Sequence, residues 1–125
     1  MIKRKKILVV DDDEMHLRVT RELLRDEKFE VVTHQCGFGV MALASEFQPD
    51  LLLLDVYMPA LSGDKLASLL RANEHTRNIQ IVFYSSDYEE NLREIVKTCD
   101  VRGYICKGDV VDLKNKINHY LAAPA

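Results

Sequence analysis

Two uninterrupted apolar tetrads, Ile7-Leu8-Val9-Val10 and Leu51-Leu52-Leu53-Leu54, run straight into aspartate: Asp11-Asp12-Asp13 after the first, Asp55 after the second. A strand with one wet face alternates apolar and polar side chains. Four consecutive apolar residues leave no wet face, so these segments suit strands buried on both sides of a parallel sheet. The run over 79–84 is a third of this kind, β-branched and aromatic, while Val31-Val32-Thr33 and Tyr104-Ile105-Cys106 are shorter strand candidates.

Helical patterns separate these runs. The segment 14–26 carries Val19, Leu23 and Leu24, and 38–47 carries Val40, Met41, Leu43 and Ala44 before Pro49. The segment 64–72 carries Leu66, Leu69 and Leu70, and 87–98 carries Leu92, Ile95 and Val96. Asp87 with Glu90 three residues later reads as a capping box. The last pattern, 110–121, carries Leu113, Ile117, Tyr120 and Leu121, with Asp109 as its N-cap. Five strands alternating with five helices predict an α/β fold, a five-stranded parallel sheet doubly wound by right-handed crossovers. At 125 residues the chain is one domain, 1–125, with a core over about 6–121 and a fraying tail over 122–125.

Composition excludes several function classes. No apolar run approaches the roughly 20 residues that span a bilayer, so no membrane role is expected. The basic start, Met1-Ile2-Lys3-Arg4-Lys5-Lys6, leads into an apolar stretch too short for a signal peptide. A net charge of −3 argues against direct nucleic-acid binding. Three cysteines (Cys36, Cys99, Cys106) without C-x-x-C spacing fit neither a disulfide framework nor a zinc site. They read as free thiols in a reducing, cytoplasmic compartment. Cys106, beside Lys107, is the candidate redox thiol, with a small buried apolar residue as the plainer reading.

In doubly wound sheets, ligands bind at the carboxyl ends of the strands, near the topological switch point. Asp11 and Asp12 end the first strand and Asp55 ends the third. If those strands are neighbours, three carboxylates share one crevice, where they take up a proton or bind a cation. Oxygen ligands without His or Cys point to Mg²⁺, Mn²⁺ or Ca²⁺. Mg²⁺ commonly combines one or two carboxylates with waters and a phosphate oxygen, which suggests phosphate chemistry. The plainer reading, solvated strand ends and helix caps, suits Asp13 and Glu14. Ser85 ends the fourth strand, where a hydroxyl can donate to a phosphoryl oxygen. Lys107 ends the fifth, where an ammonium can offset developing negative charge.

With these residues in place, the chain resembles the receiver (response-regulator) domain of bacterial two-component signalling, chemotaxis-regulator-like, over about 6–121. The match rests on Ile7-Leu8-Val9-Val10-Asp11-Asp12 and on Pro49-Asp50-Leu51-Leu52-Leu53-Leu54-Asp55-Val56-Tyr57-Met58-Pro59, with Gly63 four after the proline. It continues through Ile81-Val82-Phe83-Tyr84-Ser85 and Gly103-Tyr104-Ile105-Cys106-Lys107. The resemblance implies a flavodoxin-like strand order of 2-1-3-4-5. It makes Asp55 the phospho-acceptor, supplied by a histidine kinase or a histidine phosphotransfer protein. It makes Asp12 the direct Mg²⁺ (or Mn²⁺) ligand, with Asp11, Asp55 and the main-chain carbonyl of Tyr57 completing the protein's share. Ser85 and Lys107 would contact the phosphoryl group, and Tyr104 would be the aromatic switch that follows Ser85. The output would be a downstream protein or an output domain outside this sequence. The face of helix four, strand five and helix five would serve a partner or a dimer.

The resemblance places Tyr57, two residues after the acceptor, beside the path of hydrolytic water, while Asp87, two after the serine, could hold a water. A bulky Tyr57, with Asp87 occupied as a helix cap, implies slow self-dephosphorylation. One departure is Gly108, where the family usually has proline after the lysine, commonly with a cis bond. A non-proline cis bond costs about 2.5–4 kcal/mol, so a trans Lys107–Gly108 bond is expected, with glycine absorbing unusual dihedrals. Ser86 and Asp100-Val101 also depart from the usual small residues.

Two other classes stay open at this point. A haloacid-dehalogenase-type phosphatase also uses an Asp nucleophile and Mg²⁺. Its D-x-D-x-[TV] pattern finds Asp11 and Asp13 but Met15 at the fifth position, and leaves Asp55 without a role. A degenerate receiver would act without phosphorylation, which sits poorly with retention of Asp11, Asp12, Asp55, Ser85 and Lys107.

Overall fold

The computed structural model describes residues 3–122. Five strands alternate with five helices: β1 (Lys5–Val10), α1 (Glu14–Leu23), β2 (Phe29–His34), α2 (Val40–Phe47), β3 (Leu51–Leu54), α3 (Gly63–Ala72), β4 (Ile81–Ser85), α4 (Glu89–Thr98), β5 (Gly103–Cys106) and α5 (Val110–Ala122). All strand pairs are parallel, in the order β2-β1-β3-β4-β5.

The apolar tetrads form the centre of the sheet, and each of Leu51, Leu52, Leu53 and Leu54 is 0% exposed. Alternate side chains point to opposite faces. Leu52 and Leu54 join Leu8, Val10, Ile81 and Phe83 under α2, α3 and α4. Leu51 and Leu53 join Ile7, Val9, Val82 and Ile105 under α1 and α5. Full burial contributes about 1.5–3 kcal/mol for each such side chain, so burial on both faces outweighs any competing arrangement of these runs. The register pairs Val10 with Leu54, so β1 and β3 end level. The Asp55 amide donates to the Val10 carbonyl at 3.0 Å, which fixes the two aspartate-bearing ends side by side.

Several helix boundaries and faces differ from the sequence pattern. The first helix ends at Leu23 and turns Leu17 and Thr20 inward, leaving Val19 exposed. Leu17, Thr20 and Leu24 follow the helical period, and Val19 falls outside that stripe. Leu69 is exposed for the same reason, and Phe38 lies exposed ahead of α2. The fourth strand starts at Ile81, and the Gln80 side chain ahead of it donates to the carbonyls of Asp50 and Tyr120.

The Asp87–Glu90 capping box does not form. Tyr88 is the N-cap of α4, without a side-chain cap bond, and Asp87 spends its oxygens on Tyr57, Tyr88 and Asn91. Asp109 does cap α5, accepting from the Asp112 amide at 2.9 Å. No cis peptide occurs among the described residues, so Lys107–Gly108 is trans, and Gly108 takes a φ of +98°. Of the expected fraying tail, Ala122 closes α5 and the remainder lies outside the described residues. All three cysteines are free. Cys106 is half-buried against the core, and burial pushes its thiol up, away from redox reactivity. No helix among the described residues is long and apolar enough to cross a membrane.

Candidate functional site

Because β1 and β3 end level, Asp11, Asp12 and Asp55 meet: one oxygen from each lies within 4.8 Å of the others. Asp11 is 2% exposed and Asp55 is 7% exposed, while Asp12 is half-buried. Lys107 reaches in from the end of β5. Its Nζ donates to Asp11 Oδ2 at 2.5 Å and to Asp55 Oδ2 at 3.2 Å. The Lys107 amide donates to the Ser85 carbonyl at 2.9 Å, tying the ends of β4 and β5 together.

Local turns aim the carboxylates. Asp11 Oδ1 accepts from the Asp13 amide at 3.0 Å, and Asp13 Oδ1 caps α1 by accepting from the Met15 and His16 amides. Asp55 Oδ1 accepts from the Tyr57 amide at 3.2 Å. Gly63 lets α3 approach: a Cβ there would lie 2.1 Å from the Asp55 carbonyl oxygen.

Negative side chains outnumber positive ones at this site. Burial pushes the Asp55 carboxyl above the usual range, and Asp11 adds to the rise against the opposing pull of Lys107. Burial alone would lower the Lys107 ammonium, but its bonds to Asp11 and Asp55 prevail and hold it above its ordinary value. Three carboxylates against one ammonium leave two negative charges, matched by one divalent cation. The donors are all oxygen, which fits Mg²⁺ or Mn²⁺.

The other expected residues lie on β4, on β5 and in the loop after β3. Ser85 is buried at the end of β4. Tyr104 is tied to α4: its hydroxyl donates to Glu89 Oε1 at 2.7 Å and accepts from Arg93 Nε at 3.2 Å. Lys116 sits 4.6 Å from the centre of the Tyr104 ring and donates to the Tyr104 carbonyl. Tyr57 is exposed, and its hydroxyl donates to Asp87.

One neighbour escaped the sequence reading. His16 Nδ1 lies 3.4 Å from Lys107 Nζ. The available signal was positional, since a cap at Asp13 puts His16 at the third residue of α1, in the turn that starts beside Asp11.

The model of the response regulator receiver domain family matches residues 7–118. The polar-differentiation response regulator DivK of Brucella ovis is 26% identical over 103 residues, covering 82% of this chain and 84% of that protein. Among solved structures, the Vibrio cholerae chemotaxis protein CheY4 superposes with a TM-score of 0.85 at 22% identity, covering 95% of this chain and 100% of that one. The receiver domain of the Pseudomonas aeruginosa sensor histidine kinase PA1611, solved with magnesium in its active-site cleft, gives 0.85 at 21% identity over 97% of this chain and all of that one.

Proposed function

Since the chain belongs to the response regulator receiver family, we propose that Asp55 accepts a phosphoryl group from a phosphohistidine and that this switches the binding of a partner. The observation that carries the assignment is the triad of Asp11, Asp12 and Asp55, two of them buried, with Lys107 bridging those two.

An Asp55 oxygen attacks phosphorus as the phosphorus–nitrogen bond breaks, and the donor's imidazole departs with the bonding pair. A carboxylate is a weak nucleophile toward a phosphoryl group bearing negative charge, so charge must be neutralised in place. Asp12 would hold Mg²⁺, with Asp11, Asp55 and the Tyr57 carbonyl as further oxygen donors. Bound there, the ion supplies Lewis-acid neutralisation of the phosphoryl oxygens. Lys107 already bonds an Asp55 oxygen and needs only a small shift to follow charge onto the phosphoryl group. Ser85 donates to another phosphoryl oxygen, and its movement vacates space that Tyr104 fills.

The domain thus catalyses only its own phosphorylation and dephosphorylation. Its donor is a histidine kinase or a histidine phosphotransfer protein. Its output is a downstream protein, or an output domain in a longer chain, reached through the α4–β5–α5 face, which also offers a dimer contact. The three free thiols support a reducing, cytoplasmic setting.

The test is intact mass after incubation with acetyl phosphate and Mg²⁺. One phosphoryl group is expected, absent in Asp55→Asn and absent with EDTA. Stoichiometric labelling in either control overturns the assignment.

A further inference from the structure

We infer that His16 is a positioning residue for Lys107, an acceptor that holds the ammonium over the acceptor carboxylate while the reaction draws its other two partners away. The inference rests on the reading that Lys107 serves the phosphoryl group. An ammonium has three donors and no lone pair. In this structure Lys107 Nζ faces three acceptors: Asp11 Oδ2 at 2.5 Å, Asp55 Oδ2 at 3.2 Å and His16 Nδ1 at 3.4 Å. With the ring proton on Nε2, the facing Nδ1 accepts from the ammonium, which itself only donates.

The three acceptors differ in what the chemistry asks of them. Asp55 becomes an acyl phosphate, and Asp11 would be shared with a cation. His16 is the one the chemistry leaves untouched. Lys107 is only 10% exposed, so an N–H without an acceptor there costs more than at the surface. A carboxylate at position 16 would satisfy the ammonium but add a fourth negative charge to the triad. An apolar residue would leave one donor unpaired. A ring nitrogen accepts without either drawback.

The position of His16 is built rather than incidental. Asp13 Oδ1 accepts from its amide and so fixes the first turn of α1. The ring nitrogen lies 3.8 Å from Asp11 Oδ2 and 3.6 Å from Asp13 Oδ2. The His16 side chain is 47% exposed, against 10% for that of Lys107. On the other side, Lys107 Nζ lies 5.7 Å from the centre of the Tyr84 ring. Together the two rings narrow the directions the ammonium can take.

The experiment is a double-mutant cycle read by the rate of Asp55 labelling across acetyl phosphate concentrations at saturating Mg²⁺. His16→Ala is expected to lower the maximal rate roughly three- to tenfold with little change in half-saturating donor. His16→Gln, which retains an acceptor, should recover part of the loss. In a Lys107→Ala background the His16→Ala change should have no further effect. An equal slowing in both backgrounds overturns the inference.

A second readout needs no metal and no phosphorylation. Acylation of Lys107 by an N-hydroxysuccinimide acetate ester, mapped by mass spectrometry in EDTA, should be faster in His16→Ala than in wild type or His16→Gln. Equal acylation in all three overturns the inference. If wild type fails to label at Asp55, the functional reading falls, and the acylation comparison still decides whether His16 holds Lys107.

Discussion

The Tyr57 hydroxyl donates to Asp87 Oδ2 at 2.5 Å and so joins the loop after β3 to the loop after β4 across the mouth of the acidic site. The bond is visible in both partners: accepting by Asp87 holds the phenol above its ordinary value, and the phenol, with Asn91, holds the Asp87 carboxyl below its own. Asp87 Oδ1 accepts from the Tyr88 amide and the Asn91 side chain, which anchors the bridge to the first turn of α4.

This bridge changes the basis for expecting a long-lived phosphoryl group. Asp87 is not engaged as a helix cap; it restrains the ring beside the acceptor. Phosphorylated Tyr57→Asn should lose its phosphoryl group faster than wild type by roughly fivefold, the equivalent of about 1 kcal/mol. Tyr57→Phe, which keeps the ring and loses the tether, should fall between them. The measurement is decay of the phosphorylated species by mass or by Phos-tag gel. Equal or slower decay in Tyr57→Asn would remove Tyr57 as the obstruction.

Metal binding should depend more on Asp12 than on Asp11. Both Asp11 oxygens are engaged, one by Lys107 and the other by the Asp13 amide. Among the described residues, no hydrogen bond engages the Asp12 carboxylate. Asp12→Ala should weaken Mg²⁺ binding by roughly tenfold or more, as expected for loss of a charged ligand. A calorimetric or fluorescence titration that matches wild type would contradict this.

Asp55 should reduce stability in the metal-free protein at neutral pH. Its carboxyl is raised above 3.8 in the folded state, mainly by burial. The folded state therefore holds the proton more tightly than the unfolded state, so stability falls as pH rises from the unfolded value through the folded one. Asp55→Asn should melt higher than wild type at pH 7 without metal, by on the order of a few degrees. The difference should vanish below the unfolded value, and Mg²⁺ should narrow it by stabilising wild type more than the variant. An unchanged or lower melting midpoint for Asp55→Asn at pH 7 would count against it.

Ser85 and Tyr104 should move as a pair. Tyr104 is held toward α4 by Glu89 and Arg93 and under Lys116 from α5. These groups are exposed enough that the hold is weak, so the space vacated by a shift of Ser85 should suffice to release it. With ¹³C-labelled tyrosine, phosphorylation should shift the Tyr104 resonance in wild type. In Ser85→Ala, Asp55 should still label while the resonance stays in place. The same shift in both proteins would separate the two residues.

Gly63→Ala should destabilise the fold, because its Cβ would fall 2.1 Å from the Asp55 carbonyl oxygen, a backbone atom with little freedom to yield. The expected loss is about 1–3 kcal/mol by urea denaturation, together with slower labelling as the acceptor loop shifts. Wild-type stability in this variant would mean that α3 can retreat at no cost.

Much of this architecture was legible because the relevant forces act between neighbours along the chain. Four successive leucines at 51–54 admit no wet face, and burial on both sides of a parallel sheet follows. An aspartate directly after such a run must emerge at the strand's carboxyl end, and so Asp11, Asp12 and Asp55 could be placed before any fold was seen. Asp109 could be read as a cap because its partner, the Asp112 amide, is three residues away.

Asp87 had the same local credentials, yet a phenol 30 residues distant took one of its oxygens. The Lys107 ammonium finds Asp11 across 96 residues and His16 across 91. Val19 and Leu69 are apolar residues of helices that fall off the buried stripe and face outward. Periodicity and strand-end chemistry are settled by adjacent residues, so the sequence by itself determined the layers, the alternation and the location of the acidic centre. Which donor each carboxylate accepts is a competition among groups that arrive together only after folding, and that outcome the tertiary structure alone decided.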